Sequence, residues 1–234
     1  MKKSVLFSFI GAAALLLSSL TLAPTTAGAQ GAGLISSVFN RMERNRRDLR
    51  SLRAAIQMEK FNAQLGDKDN YFGDLIYLPG SGQNNSVRVD WQRPQRETLA
   101  VKDGKYTLFR PRLNMAYEGN ANSKNSKASS VLGFGLNVSS QQLRANFLPP
   151  EYLGEGTLYG NVHVTWLKIV PKGRAGYKHA EIWVDDNGMP VQTKVVEHNN
   201  DSTTVRLTNV QRNARVSSDE FNLQLPSNVK RVRG

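Results

Sequence analysis

The spacing of apolar residues changes period early in the chain. Leu34, Ile35, Val38, Phe39 and Met42 recur at helical spacing, which predicts an amphipathic helix from 34 to about 47 whose opposite face is basic. At Leu52 the period drops to two. Leu52, Ala54, Ile56 and Met58 fall on one side and Arg53, Gln57 and Glu59 on the other, so a strand follows the helix almost directly.

The alternation then recurs in short runs between turn residues. Leu75 and Tyr77 share a face, and so do Val87, Val89 and Trp91, before Arg93-Pro94 stops the run. Thr98 to Val101 leads into Asp103-Gly104, a dipeptide suited to the positive φ angles of a two-residue hairpin, and Lys105 to Arg110 returns. Downstream, strands are predicted over Thr157 to Val170, Tyr177 to Val184, Met189 to His198, Ser202 to Val210 and Phe221 to Leu225, with a turn at Asp186-Asn187-Gly188. About ten strands joined in sequence by tight turns imply an antiparallel meander.

Residues 119 to 148 break this rhythm. A polar run from Gly119 to Ser130 precedes Val131, Leu132, Phe134 and Leu136, after which Ser139 or Ser140 can cap a short helix carrying Leu143 and Phe147. The second half of the stretch is too apolar to face water and is expected to cover something hydrophobic. Helices laid over one side of a curled sheet make an α+β layout with an interior between them. Periodicity alone leaves open whether that interior is packed or hollow.

The N-terminus has a different pattern. Lys2 and Lys3 precede an apolar stretch from Val5 to Leu22, and Ala27-Gly28-Ala29 forms a small-x-small processing site before Gln30. Residues 1–29 are therefore expected to be a cleaved signal peptide, leaving 30–234 as one exported domain in the periplasm. A membrane anchor is the competing reading, but Ser8, Ser18, Ser19 and Thr21 interrupt the stretch, and no later segment approaches the roughly 20 apolar residues of a membrane span.

Among the 234 residues there is no cysteine, which excludes disulfide staples, Cys-zinc sites, a Cys nucleophile and an acylated N-terminal Cys. His163, His179 and His198 lie far apart with no ligand spacing around them, so no metal or cofactor is expected. No G-x-S-x-G is present, Asp185-Asp186 reads as part of a turn, and Gly154-x-Gly156-x-x-x-Gly160 departs from the dinucleotide fingerprint, so no enzyme is expected. The formal charge of +12 is concentrated at Arg41, Arg44, Arg46, Arg47, Arg50 and Arg53 and at Lys230, Arg231 and Arg233. Such a face is either simply solvated or drawn transiently to an anionic membrane, where each basic residue is worth about 1 kcal/mol. Nucleic acid is a poor partner for an exported chain whose aromatics fall on strand faces.

One set of segments is distinctive in order and spacing. Gly73-Asp74-Leu75-Ile76-Tyr77-Leu78-Pro79 is followed by Val89-Asp90-Trp91-Gln92-Arg93-Pro94, then Glu97 to Lys105 through Asp103-Gly104, then Phe109-Arg110-Pro111. The C-terminal half adds Val184 to Gly188, Val195-Val196-Glu197, Leu207 to Val210 and Asp219 to Pro226. Together these resemble the LolA family of periplasmic outer-membrane lipoprotein carriers over most of residues 34 to 232. The resemblance implies an open antiparallel sheet curled into an unclosed half-barrel, covered by a lid of short helices around a hydrophobic cavity for acyl chains. It also implies acylated lipoproteins as cargo, an inner-membrane ATP-dependent exporter as donor and an outer-membrane acceptor. Two positions depart from the family pattern. Leu78 stands where the family commonly has a lid-latching arginine, and the family's strand tryptophan falls at Val89, with Trp91 on the same face.

The expected function is thus a periplasmic chaperone that carries acyl chains between membranes. The expected sheet lining is Leu52, Ile56, Met58, Tyr77, Val89, Trp91 and Leu108, and the expected lid residues are Val38, Phe39, Leu132, Phe134, Leu143 and Phe147. A lipid or glycolipid carrier, a non-enzymatic envelope sensor with a packed interior and, least, a secreted hydrolase are the competing readings.

Overall fold

The computed structural model describes residues 27–80, 84–121 and 139–233, with side chains from Gly33 onward. The predicted N-terminal helix is α1 (Ala27–Asp48). Immediately after it the chain forms β1 (Leu52–Phe61), β2 (Lys68–Leu78), β3 (Ser86–Arg93), β4 (Glu97–Lys102), β5 (Lys105–Arg110) and β6 (Met115–Asn120). The short helix α2 (Ser140–Asn146) is followed by β7 (Glu151–Leu158), β8 (Val162–Ile169), β9 (His179–Asp185), β10 (Pro190–Val196), β11 (Ser202–Arg212) and β12 (Lys230–Arg233).

All twelve strands belong to one unclosed, curled sheet in the order β12-β6-β5-β4-β3-β2-β1-β11-β10-β9-β8-β7, giving an α+β fold. The expected single meander is instead two. β1 to β6 run sequentially in one direction, β7 to β11 in the other, and they join where β1 pairs with β11. Alternation marks each strand but carries no record of which distant strand lies beside it.

Several local expectations hold. Asp103 and Gly104 have φ of 51° and 71°, which turns β4 into β5 with both central residues left-handed. Ser139 caps α2: its side chain accepts from the Gln142 backbone N–H while the Gln142 side chain accepts from the Ser139 backbone N–H.

Two predicted strands need correction. The strand predicted over Thr157 to Val170 is broken at Gly160 and Asn161, whose φ angles of 86° and 58° make the turn between β7 and β8. The strand predicted over Phe221 to Leu225 is absent: Ser218–Phe221 is a 3-10 turn that buries Phe221, because this segment lies across the outer face of the sheet rather than at its edge. The basic end of the chain forms a further strand, β12, paired parallel with β6.

Cross-strand partners share a face, so the register defines the inner side. Leu167, Ile182, Thr193, Val205, Met58 and Tyr71 are linked pair by pair from β8 to β2, and Val89, Leu99 and Leu108 continue the same face into β5. On the opposite face, the segment after β11 is tied down by polar contacts. Arg53 pairs with Glu220 at 2.5 Å, Arg88 donates to the Glu220 carbonyl at 2.9 Å, and Lys102 donates to Asn222 Oδ1 at 2.8 Å. With Arg46 and Arg47 on Glu43 and Arg231 on Glu118, part of the predicted basic surface is engaged within the molecule.

Candidate functional site

The buried residues divide into two clusters along the inner face. The first gathers all seven predicted lining residues, Leu52, Ile56, Met58, Tyr77, Val89, Trp91 and Leu108, with Leu75, Leu99, Val101 and others from β1 to β5. From the helical end of the chain it receives Leu49, the residue just past α1. The second gathers four of the six predicted lid residues, Val38, Phe39, Leu143 and Phe147, against Leu167, Ile169, Ala180, Ile182 and Val184 of β8 and β9. Leu132 and Phe134 lie outside the described residues. The described helices therefore cover the β8–β9 side of the sheet, rather than the strands that carry the predicted lining.

Two local features seat the helices there. A Cβ added to Gly188, in the β9–β10 turn at φ +81°, would lie 2.3 Å from the Arg41 backbone carbonyl, so only glycine allows α1 to approach this closely. Glu43 joins the two helices: it accepts from Arg46 at 2.6 Å and from the Ser140 backbone N–H at 3.2 Å, at the start of α2. The hydrogen bond from Arg46, reinforced by that from Ser140 and by the charges of Arg46 and Arg47, holds the Glu43 carboxyl below the usual range.

A cavity of about 670 Å³ opens at the other end of the inner face, where β1, β3 and β5 finish and β2 and β4 begin. Its apolar wall is Met58, Tyr71, Trp91, Leu99 and Leu108, and Tyr71 and Trp91 meet edge to face with ring centroids 5.9 Å apart. Its rim is Lys60, Glu97, Arg110 and Arg112. Arg110 Nε lies 3.0 Å from Glu97 Oε1, its guanidinium is 5.4 Å from the Tyr117 ring, and Lys60 Nζ is 5.4 Å from the Tyr71 ring. Burial, with the Asp69 and Glu97 carboxylates nearby, pushes the Tyr71 hydroxyl up. Three predicted lining residues, Met58, Trp91 and Leu108, thus border this cavity. Leu52, Ile56, Tyr77 and Val89 pack elsewhere on the same cluster, where burial takes the Tyr77 hydroxyl to about 12.

Sequence reasoning missed Tyr71, Leu99 and the four rim residues, although alternation contained the signal. Tyr71 continues the Gly73, Leu75, Tyr77 row backwards, and Lys60 and Arg110 each extend an apolar row by one more step of two. The three histidines are dispersed. His163 faces Asp186 at 2.9 Å, His179 faces Glu181 at 3.4 Å and His198 faces the Ala175 carbonyl at 3.0 Å. Asp186 raises the His163 imidazole above its ordinary range, chiefly through their hydrogen bond. Among the described residues no group of His, Asp and Glu is placed to hold a metal. Asp185 accepts from the Asn187 and Met189 backbone N–H groups, as the turn reading predicts. No described helix is long and apolar enough to cross a membrane.

The family model of the outer membrane lipoprotein carrier protein LolA matches residues 159–224, which run from the β7–β8 turn to just past the outer-face 3-10 turn. An uncharacterized conserved protein from Thermus thermophilus has the same fold at TM-score 0.54, 11% identical, over 86% of this chain and 99% of that one. The chain is LolA-like. The LolA-like architecture is shared by MucB, with a TM-score of 0.56 and 15% identity over 83% of this chain and 64% of that one. It also matches the Pseudomonas aeruginosa MucA/MucB complex structure at 0.50, with 14% identity over 81% of this chain and 60% of that one. At these identities the likeness is one of fold. No curated protein matches the sequence.

Proposed function

We propose that this LolA-like chain is a non-enzymatic periplasmic carrier that shields the acyl chains of lipoproteins or lipids from water and moves them from the inner to the outer membrane. The observation that carries the reading is the cavity of about 670 Å³ at the end of a largely apolar inner face, walled by Met58, Tyr71, Trp91, Leu99 and Leu108. Ligand pockets usually hold about 300–1,000 Å³ and combine apolar walls with a few polar groups at one side. The driving force is burial, about 0.8 kcal/mol for each acyl CH₂ taken out of water, and it needs no catalytic group. On this reading residues 1–29 are the removed leader, an inner-membrane ATP-dependent exporter loads the carrier, and an outer-membrane acceptor unloads it. Leu78 replaces the family's latch arginine, and Glu43 takes over part of that role by tying α1 to the start of α2.

The test is direct binding of a fluorescent fatty-acyl probe to the folded protein. Binding is expected for the native chain. Leu108→Phe, which adds volume at the wall, should weaken it at least severalfold, and Trp91→Asp should abolish it. Circular dichroism on each variant separates lost binding from lost folding. A folded native chain inert to acyl probes overturns the reading.

A second reading, an envelope sensor that binds a protein partner, is favoured by the dense packing of α1 and α2 on β8 and β9, where Val38, Leu167 and Ile169 are 0% exposed. Partner capture that weakens with salt and is indifferent to acyl competitors would support it.

A further inference from the structure

The rim of the cavity breaks the pattern of the face it terminates. Along β1 the inner row runs Leu52, Ala54, Ile56, Met58 and then Lys60. Along β5 the inner row runs Tyr106, Leu108 and then Arg110, with Arg112 in the turn that follows. β4 starts on the same rim with Glu97, ahead of inner Leu99 and Val101. Three cations and one carboxylate thus collect where the apolar wall ends, and all four border the cavity.

Their present contacts leave them underused. Arg110 Nε is buried and lies 3.0 Å from Glu97 Oε1, yet makes no aligned hydrogen bond. The guanidinium is otherwise held by the Tyr117 ring, and Lys60 by the Tyr71 ring. Among the described residues neither Lys60 nor Arg112 has a carboxylate within ion-pair distance. A half-buried guanidinium with a free edge is the group best matched to a carboxylate or phosphate, which it binds with two parallel hydrogen bonds.

We propose that this rim is a headgroup site: Arg110, with Lys60 and Arg112, receives the compact anion of an acylated ligand whose chain occupies the cavity beside Met58, Trp91 and Leu108. The inference rests on the acyl-binding reading above and adds the ligand's class, an anionic amphiphile rather than a neutral one. Glu97 is the resident anion, and an incoming phosphate or carboxylate competes with it for Arg110.

The experiment compares three probes of equal chain length on the full protein: a fatty acid, a monoacyl phosphate and a neutral monoacylglycerol. At low salt the anionic probes should bind about tenfold more tightly than the neutral one, the scale of one charge-assisted hydrogen-bond pair. That preference should shrink with added salt. In Arg110→Gln the anionic-to-neutral ratio should fall toward one, in Arg110→Lys it should be intermediate, and in Glu97→Gln it should rise. A larger preference for the phosphate identifies a phospholipid-type headgroup, and an equal preference identifies a carboxylate as sufficient. If neutral and anionic probes bind equally and Arg110→Gln leaves the ratio unmoved, the headgroup site is wrong while the acyl reading stands. If no probe binds to the folded chain, both fall.

Discussion

The two halves of the inner face are made by the same alternation of apolar residues, yet they end differently. Over β8 and β9 the face receives side chains from α1 and α2: Val38, Phe39, Leu143 and Phe147 share one buried cluster with Leu167, Ile169, Ala180, Ile182 and Val184. Over β1 to β5 the described helices supply no apolar side chain to the cluster beyond the exit at Leu49, and the far end opens into a cavity ringed by charge. Hydrophobic patterning therefore accounts for both a core and a cavity wall. The difference lies in whether another element brings side chains to meet it.

Truncations in the two halves test that contrast most strongly. Ile182→Ala should destabilise by about 2–5 kcal/mol, because a closely packed site collapses poorly. Leu108→Ala should sit at the low end of that range, since a residue beside a void already lacks partner atoms on one side. Chemical denaturation of both variants measures this, and equal losses would mean that the two halves are equally filled.

The seating of α1 offers a sharper local probe. Gly188→Ala drives a Cβ into the Arg41 backbone at a left-handed position and should cost about 1–3 kcal/mol. Thermal melts should show that loss. If it is absent, α1 is not held tightly on the β9–β10 turn.

Smaller effects are expected at α2. Ser139→Ala removes one half of the capping box and should cost about 1 kcal/mol. Faster hydrogen exchange at the α2 amides should report it, with little change at those of β1 to β5.

The mildest effect is on pH dependence. The Glu43 carboxyl is held below its ordinary range, so its contribution to the helix contact is complete above the usual carboxylate range and fades as pH falls through the lowered value. Protection of the α2 amides should therefore decline in acid, and Glu43→Gln should flatten that decline. An identical pH profile in the variant would assign the loss to other groups.

Much of this is legible in the chain itself. The change of period at Leu52, the Asp103-Gly104 hairpin and the Ser139 cap are local events, dictated by a few neighbouring residues, and each is found where expected. The burial of Met58, Trp91 and Leu108 is legible for the same reason, since a strand's period of two places each on a buried face whatever lies opposite. The turn at Gly160-Asn161 is equally local but is masked, because apolar residues on both sides make the run look continuous. Phe221 misled because an apolar residue covering the outer face has the same signature as one in a strand.

What the chain alone determined was which residues seek burial and where the backbone turns, because those preferences act over a few bonds. Which strands became neighbours, which half of the sheet received the helices, and hence where a cavity remained were decided only on folding. The pairing of β1 with β11, the meeting of Arg41 with Gly188 and the gathering of Lys60, Glu97 and Arg110 on one rim join residues far apart in sequence. Their partners are chosen by the packing of the whole sheet, and no local pattern records that choice.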